Sequence, residues 1–201
     1  MAWSYDLVSW LVSLGQWRDW QRAAIPYLRG SRVLELAHGP GHMLIALSEA
    51  GYQVIGYDLS SYMGRQATKR LLRANLEVPL IRGNAQNMPF RYDVFDSILA
   101  TFPTEFIKDP DTIGSVLSIL KPGGRLVIVP EARLIGGGVI RSFIEWLYTI
   151  TGQRQASTKT SSQPADWRSI GDYYATSGFR VRAHSIILDH SEVTVVIAER
   201  P

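Results

Sequence analysis

An alternation dominates this sequence and limits what it can fold into. Short runs rich in β-branched residues recur along the chain, separated by helix-length amphipathic segments, which is the pattern of an α/β fold built on a mainly parallel sheet. The runs are Arg32-Val33-Leu34-Glu35-Leu36, Gln53-Val54-Ile55-Gly56-Tyr57, Val78-Pro79-Leu80-Ile81, Val94-Phe95-Asp96-Ser97-Ile98-Leu99 and Arg125-Leu126-Val127-Ile128-Val129. Helices are expected between them, near 42–50, 61–74 and 110–120. The turn Lys121-Pro122-Gly123-Gly124 leads into the fifth run.

Beyond the fifth run the pattern changes. A glycine hinge, Gly136-Gly137-Gly138, opens a segment from Val139 to Ile150 whose apolar residues Val139, Ile140, Phe143, Ile144 and Leu147 recur at helical spacing. A polar loop, Gly152 to Pro164, and a short helix over Asp166–Thr176 are expected next. Two closing strands follow, roughly 179–188 and 192–198, joined tightly by Asp189-His190-Ser191 and therefore read as an antiparallel hairpin. With 201 residues and no linker, the reading is one domain over 1–201, with an N-terminal helical cap over about 1–29 and a lid insertion over about 132–165.

Composition removes several chemistries. Without cysteine there is no disulfide framework, thiolate zinc site, iron–sulfur cluster or cysteine nucleophile. At 46% hydrophobic residues the chain is too apolar for disorder. Its net charge of +3 gives little reason to expect nucleic acid as a partner. No basic leader precedes the first apolar stretch and no run approaches the roughly 18 apolar residues of a membrane span, so a cytoplasmic protein is expected.

The first run leads into Ala37-His38-Gly39-Pro40-Gly41-His42 and then a helix. Small residues at such a bend let a ligand approach the backbone, and the helix N-terminus offers free N–H groups. Asp58 stands at the end of the second run, where a carboxylate can accept bonds from both hydroxyls of a ribose. The dinucleotide pattern G-x-G-x-x-G fails here, because Leu44 occupies its third glycine position. A pattern E-x-G-x-G-x-G, with Ala37, Gly39 and Gly41 in the glycine positions, fits better.

On these residues the sequence resembles the class I S-adenosylmethionine-dependent methyltransferases over about residues 30–130. Val33 to Gly41 is similar to the first motif of that family, and Gly56-Tyr57-Asp58-Leu59-Ser60 with Met63 to its second. Gly83-Asn84-Ala85-Gln86-Asn87-Met88-Pro89-Phe90 is similar to the family's G-D-A-x-x-L-P-F segment. Phe95-Asp96-Ser97-Ile98 and Leu120-Lys121-Pro122-Gly123-Gly124 match its later signatures. The resemblance implies a Rossmann-like, doubly wound, seven-stranded, mostly parallel sheet with an antiparallel C-terminal hairpin. It also implies S-adenosyl-L-methionine as cofactor and S-adenosyl-L-homocysteine as product.

Family roles then fall on matching positions. Gly39 and Gly41 would pass under the methionine moiety, Glu35 would orient its amino group, and Asp58 would hold the ribose. Leu59 and Met63 would flank adenine, with Asn84 and Ala85 at its edge and Thr101 near the methyl group. Two departures stand out: Ala37 replaces the usual first glycine, and Asn84 replaces the usual aspartate.

Methyl transfer from a sulfonium needs positioning above all, which can supply about 7–11 kcal/mol in favourable cases. A base is required only where the acceptor must lose a proton in the transition state. The catalytic candidates are Tyr5 in the leading helix, His38 in the glycine loop and Thr101 after the fourth run. Glu131 reads as a structural residue, and His184 and His190 as surface residues.

The acceptor is read from the segments outside the common core. Trp3, Trp10, Trp17 and Trp20 crowd the first twenty residues, and Phe143, Trp146 and Tyr148 mark the second segment. Together they suggest an apolar lid and a hydrophobic small molecule, lipid head group or quinone-like acceptor, with contact to a membrane surface through 1–20 and 139–150 at the inner face. Two rivals remain open. Arg65, Lys69, Arg70 and Arg73 would suit an RNA methyltransferase, and a non-catalytic cofactor-binding scaffold would keep the same motifs.

Overall fold

The structure, a computed structural model, describes residues 16–135 and 167–201. It begins with helix α1 (Trp17–Arg22) and a 3-10 turn over Ile25–Tyr27. Then follow β1 (Arg32–Leu36), α2 (His42–Glu49), β2 (Gln53–Asp58), α3 (Ser61–Arg73), β3 (Leu80–Arg82), β4 (Phe95–Thr101), α4 (Pro110–Ile119) and β5 (Leu120–Val129). A short β6 (Ala132–Leu134), α5 (Trp167–Thr176), β7 (Arg180–Leu188) and β8 (Ser191–Glu199) complete the described elements.

The strands form one sheet. β3, β2, β1, β4 and β5 lie side by side and parallel, while β8 runs antiparallel between β5 and β7. Strands buried on both faces need apolar side chains pointing both ways, and the continuous runs in the sequence supply them. Leu34, Ile98, Leu126 and Ile128 face a core closed by Ile113, Val116 and Ile119 of α4 and Ile170 and Tyr174 of α5. Val33, Leu99, Val127 and Val129 face the opposite core, closed by Trp20 and Ala24 near α1, Met43, Leu44 and Leu47 of α2, and Ala67 and Leu71 of α3.

Local chemistry sets the element boundaries. Ser60 caps α3 by accepting the Met63 N–H, and Asp109 caps α4 through the N–H groups of Asp111 and Thr112, with Pro110 at the first helical position. The entry of β1 is clamped by Asp96, whose Oδ2 accepts the N–H groups of Ser31 at 3.1 Å and Arg32 at 2.9 Å. Its Oδ1 meets Lys121 Nζ at 2.6 Å.

The expected doubly wound α/β fold with its C-terminal hairpin is present, and the sheet carries one strand more than the seven expected. Residues 132–134, placed at the start of the lid by the sequence reading, form β6. Its pairs Ala132↔Val193 and Leu134↔Ser191 lie one residue out of step with Arg125↔Glu199 and Ile128↔Val196, so β6 prolongs β5 along the same edge of β8 after a slip. Pro130 falls at the slip, where a residue without N–H breaks the ladder. The expected pre-strand turn at Lys121–Gly124 is looped out of the β4–β5 ladder, whose pairing jumps from Phe95↔Leu120 to Ser97↔Arg125. The rest of the expected lid, the Val139–Ile150 segment and the part of the cap that holds Trp3, Tyr5 and Trp10 lie outside the described residues.

Candidate functional site

The glycine loop leaves β1 in a sequence of left-handed residues: Ala37 at φ 56°, Gly39 at 54° and Gly41 at 83°. The Ala37 N–H donates to the Tyr57 carbonyl at 2.7 Å, holding the loop against β2. Gly41 opens α2 where the loop meets α3, and a Cβ there would stand 2.9 Å from that of Ala67. Gly39 differs, because a Cβ on it would meet no described heavy atom within 4 Å. Its outer side is therefore an open cradle with bare backbone at the floor.

Asp58, at the end of β2, is tied to that cradle. Its Oδ2 accepts the Gly39 N–H at 2.9 Å and its Oδ1 the Ser60 N–H at 2.7 Å. Each carboxylate oxygen has two acceptor lone pairs, so both keep capacity for a further donor. Nearby, Leu59 is 64% exposed and Met63 half-buried on the first turn of α3. Across β3, Asn84 caps the 3-10 turn Ala85–Asn87, accepting the Gln86 N–H at 3.2 Å and donating to Gln86 Oε1 at 2.8 Å. Ala85 is buried beneath it. Gly83 is required there, since any Cβ would run into the Tyr57 hydroxyl.

Glu35 is only 2% exposed, and its Oε2 has no hydrogen-bond partner among the described residues. Burial, reinforced by the Asp58 charge, pushes its carboxyl well above the usual range. A buried carboxylate with an unpaired oxygen is stabilised by a donor, and best by a cationic one.

His38 is placed differently from the other loop residues. It is 5% exposed, and its Nδ1 lies 2.7 Å from the Gly39 carbonyl. Its ring packs toward Gly56 of β2, where an added Cβ would lie 2.9 Å from His38 Cδ2. Burial lowers its pKa despite the opposing pull of Asp58. The ring thus wedges the loop from beneath. Tyr5 lies outside the described residues, and His184 is exposed, with its ring 5.1 Å from that of Tyr27.

Thr101 ends β4, and its Oγ1 accepts Gln21 Nε2 at 3.0 Å. The next residue, Phe102, adopts a left-handed φ of 49° and donates its N–H to the Val129 carbonyl at 2.7 Å. Trp17 stacks on Phe102 with ring centroids 4.2 Å apart and planes at 26°. Trp20, on the same helix, donates its buried Nε1–H to Ser191 Oγ at 2.8 Å, which anchors α1 to β8. Sequence reasoning passed over Gln21. The available signal was its position, since it stands one turn after Trp17 and next to Trp20 on α1, as the polar member of that buried face.

This sheet order, with an acid-ended second strand beside an open glycine bend, defines a class of protein. Residues 33–124 match the family model described as a methyltransferase domain, and the fold is that of S-adenosylmethionine-dependent methyltransferases. Among its relatives is the demethylmenaquinone methyltransferase of Streptomyces avermitilis, 34% identical over 128 residues that cover 62% of this chain and 54% of that protein. The protein of the same name from Paenarthrobacter aurescens is 33% identical over 164 residues, 80% of this chain and 62% of that one. The chain thus spans about half to two thirds of the length of these relatives. Two solved structures share the fold. The PH0226 protein of Pyrococcus horikoshii superposes with a TM-score of 0.64 at 20% identity, covering 88% of this chain and 86% of that one. Phosphoethanolamine N-methyltransferase 2 of Haemonchus contortus, solved with S-adenosyl-L-methionine, superposes at 0.62 with 21% identity, covering 93% and 53%.

Proposed function

We propose that this chain transfers a methyl group from S-adenosylmethionine to a hydrophobic, quinol-type small molecule. The observation that carries the reading is the convergence of Glu35, Gly39 and Asp58: a buried carboxylate oxygen unpaired among the described residues, a glycine whose Cβ direction meets no described heavy atom, and a carboxylate that keeps acceptor capacity. These match, in order, an ammonium, a methionine chain and a ribose diol. When bound, the cofactor supplies an activated methyl group with its own leaving group.

The protein's own residues then bind and align. Glu35 takes the ammonium, and the cation in turn favours the ionised carboxylate that burial opposes. Gly39 and Gly41 keep the methionine path free of side chains, Ala37 shapes the bend, and Asp58 fixes the sugar while holding the loop. Leu59, Met63, Asn84 and Ala85 surround the adenine side. Thr101 stands at the methyl end, with the Trp17–Phe102 stack as an aromatic wall beside it. The acceptor atom forms its bond to the methyl carbon as the C–S bond breaks, the bond's electrons pass to sulfur, and the displaced proton leaves to solvent. His38 serves the loop's shape, and no base is assigned among the described residues.

The quinol-type acceptor is supported by the names of the relatives and by the aromatic wall. Among the described residues no helix is long and apolar enough to cross a membrane. Contact with a membrane surface through 1–20 and 139–150 remains part of the proposal. The test combines calorimetry with S-adenosylhomocysteine and mass spectrometry of a reduced 2-geranyl-naphthoquinone incubated with trideuteromethyl donor. A binding isotherm and a labelled product are expected. Binding without label would overturn the acceptor, and an absence of binding heat would overturn the methyltransferase activity.

A further inference from the structure

We infer that Gln21 and Thr101 form an acceptor-holding pair, in which the Gln21 side-chain carbonyl receives a hydrogen bond from a hydroxyl or N–H of the molecule to be methylated. The inference rests on the methyl-transfer reading above and narrows the acceptor to one that carries a hydrogen-bond donor close to the methylated atom.

Three observations support it. Gln21 is 9% exposed beside Trp20 on the buried face of α1, and a buried amide is costly unless its groups are bonded. Only half of it is satisfied, because Nε2 donates to Thr101 Oγ1 while Oε1 has no partner among the described residues. An amide oxygen only accepts, so whatever completes it must be a donor.

Placement gives the donor its source. Glu35 pairs with Leu99 across β1 and β4, and Thr101 lies two residues beyond Leu99, so Glu35 and Thr101 share one face of the sheet. The unpaired oxygens of Gln21 and Glu35 are thus associated with that face, toward the C-terminal ends of neighbouring parallel strands, where open α/β sheets take their ligands. Glu35 carries the charge suited to an ammonium, whereas Gln21 is neutral and linked to the residue at the methyl end. Trp17 on Phe102 supplies a flat apolar surface next to it. A planar ring carrying a hydroxyl meets both needs at once: its face lies on the stack and its O–H reaches Gln21. The amide cannot take the proton, so the pair orients the nucleophile and does not deprotonate it.

The test uses Gln21→Met, close in volume but without an acceptor of comparable strength, and Thr101→Val, which removes the hydroxyl that fixes the amide. The probes are 2-geranyl-1,4-naphthohydroquinone as substrate and its 1,4-dimethyl ether as a competing ligand without donors. Expected for both variants is a KM for the hydroquinone raised about tenfold, with dimethyl ether affinity within twofold of wild type and, for Gln21→Met, S-adenosylhomocysteine affinity likewise within twofold. Thr101→Ser should restore the wild-type KM. An unchanged hydroquinone KM overturns the pair while leaving the methyltransferase reading intact, and so does an equal loss of affinity for the ether. A matching fall in the S-adenosylhomocysteine affinity of Gln21→Met reassigns Gln21 to the cofactor and also overturns it. A wild-type protein that binds S-adenosylhomocysteine yet leaves the hydroquinone unlabelled removes the quinol reading and the pair together. Should Gln21→Met fail to fold, Thr101→Val carries the same comparison.

Discussion

Gly39 and Asp58 are joined across two parallel strands by a single bond, the Gly39 N–H to Asp58 Oδ2 at 2.9 Å. The residue proposed to lie bare under the cofactor is therefore held by the residue proposed to grip it. The same carboxylate, through Ser60, also reaches the N-cap of α3. Loop, strand end and helix start are set by one side chain.

This coupling predicts different failures at neighbouring positions. Asp58→Ala should weaken cofactor binding by about 1–3 kcal/mol, the range of an unmet hydrogen-bonding group. Gly39→Ala adds a Cβ into open space and should cost only the left-handed strain of about 1–2 kcal/mol in stability, while calorimetry finds binding of S-adenosylhomocysteine abolished. Gly41→Ala meets Ala67 as well and should cost a further 1–3 kcal/mol or so. Equal thermal stability of the two glycine variants would contradict this division.

Glu35 is a site of conflict between stability and binding. Its carboxyl is raised in the folded protein, so the folded state holds its proton more tightly than the unfolded chain does. The contribution of this group is then fully present below the ordinary glutamate range of about 4.3 and is lost as pH rises through the raised folded value. Glu35→Gln should melt higher than wild type at pH 7.5, with the difference closing toward pH 4, and should bind the cofactor more weakly. Parallel melting curves at both pH values would count against the burial argument.

Ala37 sits at φ 56°, a conformation that an L side chain resists. Replacing it by glycine removes about 1–2 kcal/mol of strain and returns roughly 0.5–1 kcal/mol through the freer unfolded chain. A net gain near 0.5–1 kcal/mol should raise Tm by about 2 °C in a domain of this size. Differential scanning calorimetry decides it, and a lower Tm would show that the alanine methyl packs usefully.

Asp96 has the opposite pH signature to Glu35. Burial alone would raise its pKa, but Lys121 and the N–H groups of Arg32 and Ser31 outweigh that and bring it below the usual carboxylate range. Its contribution is present above about pH 4 and is lost as pH falls through the lowered folded value. Asp96→Asn should therefore lower Tm at pH 7 and make little difference near pH 2, as followed by circular dichroism.

Much of this was legible in the sequence, for identifiable reasons. Strands such as Arg32–Leu36 carry apolar residues for both faces, and the spacing from Gly41 to Asp58 is set by one helix and one strand. β6 escaped because three residues, Ala132-Arg133-Leu134, carry no periodic signal and pair only because β8 extends past Pro130. Phe102's left-handed turn has no glycine to announce it and is held by Trp17, 85 positions earlier (102 − 17 = 85). Gln21 finds Thr101 80 residues away, a contact that no local pattern encodes.

Among the described residues β7 pairs with β8 alone, and the rim without a described partner has a bearing on how copies of this chain behave when concentrated. A nine-residue strand with one edge lacking a described partner invites strand addition, but Arg180, Arg182 and His184 stand exposed along it. Replacing both arginines by valine should turn a clear concentrated solution into one that scatters light and binds thioflavin, because it removes the like charges that oppose edge-to-edge pairing.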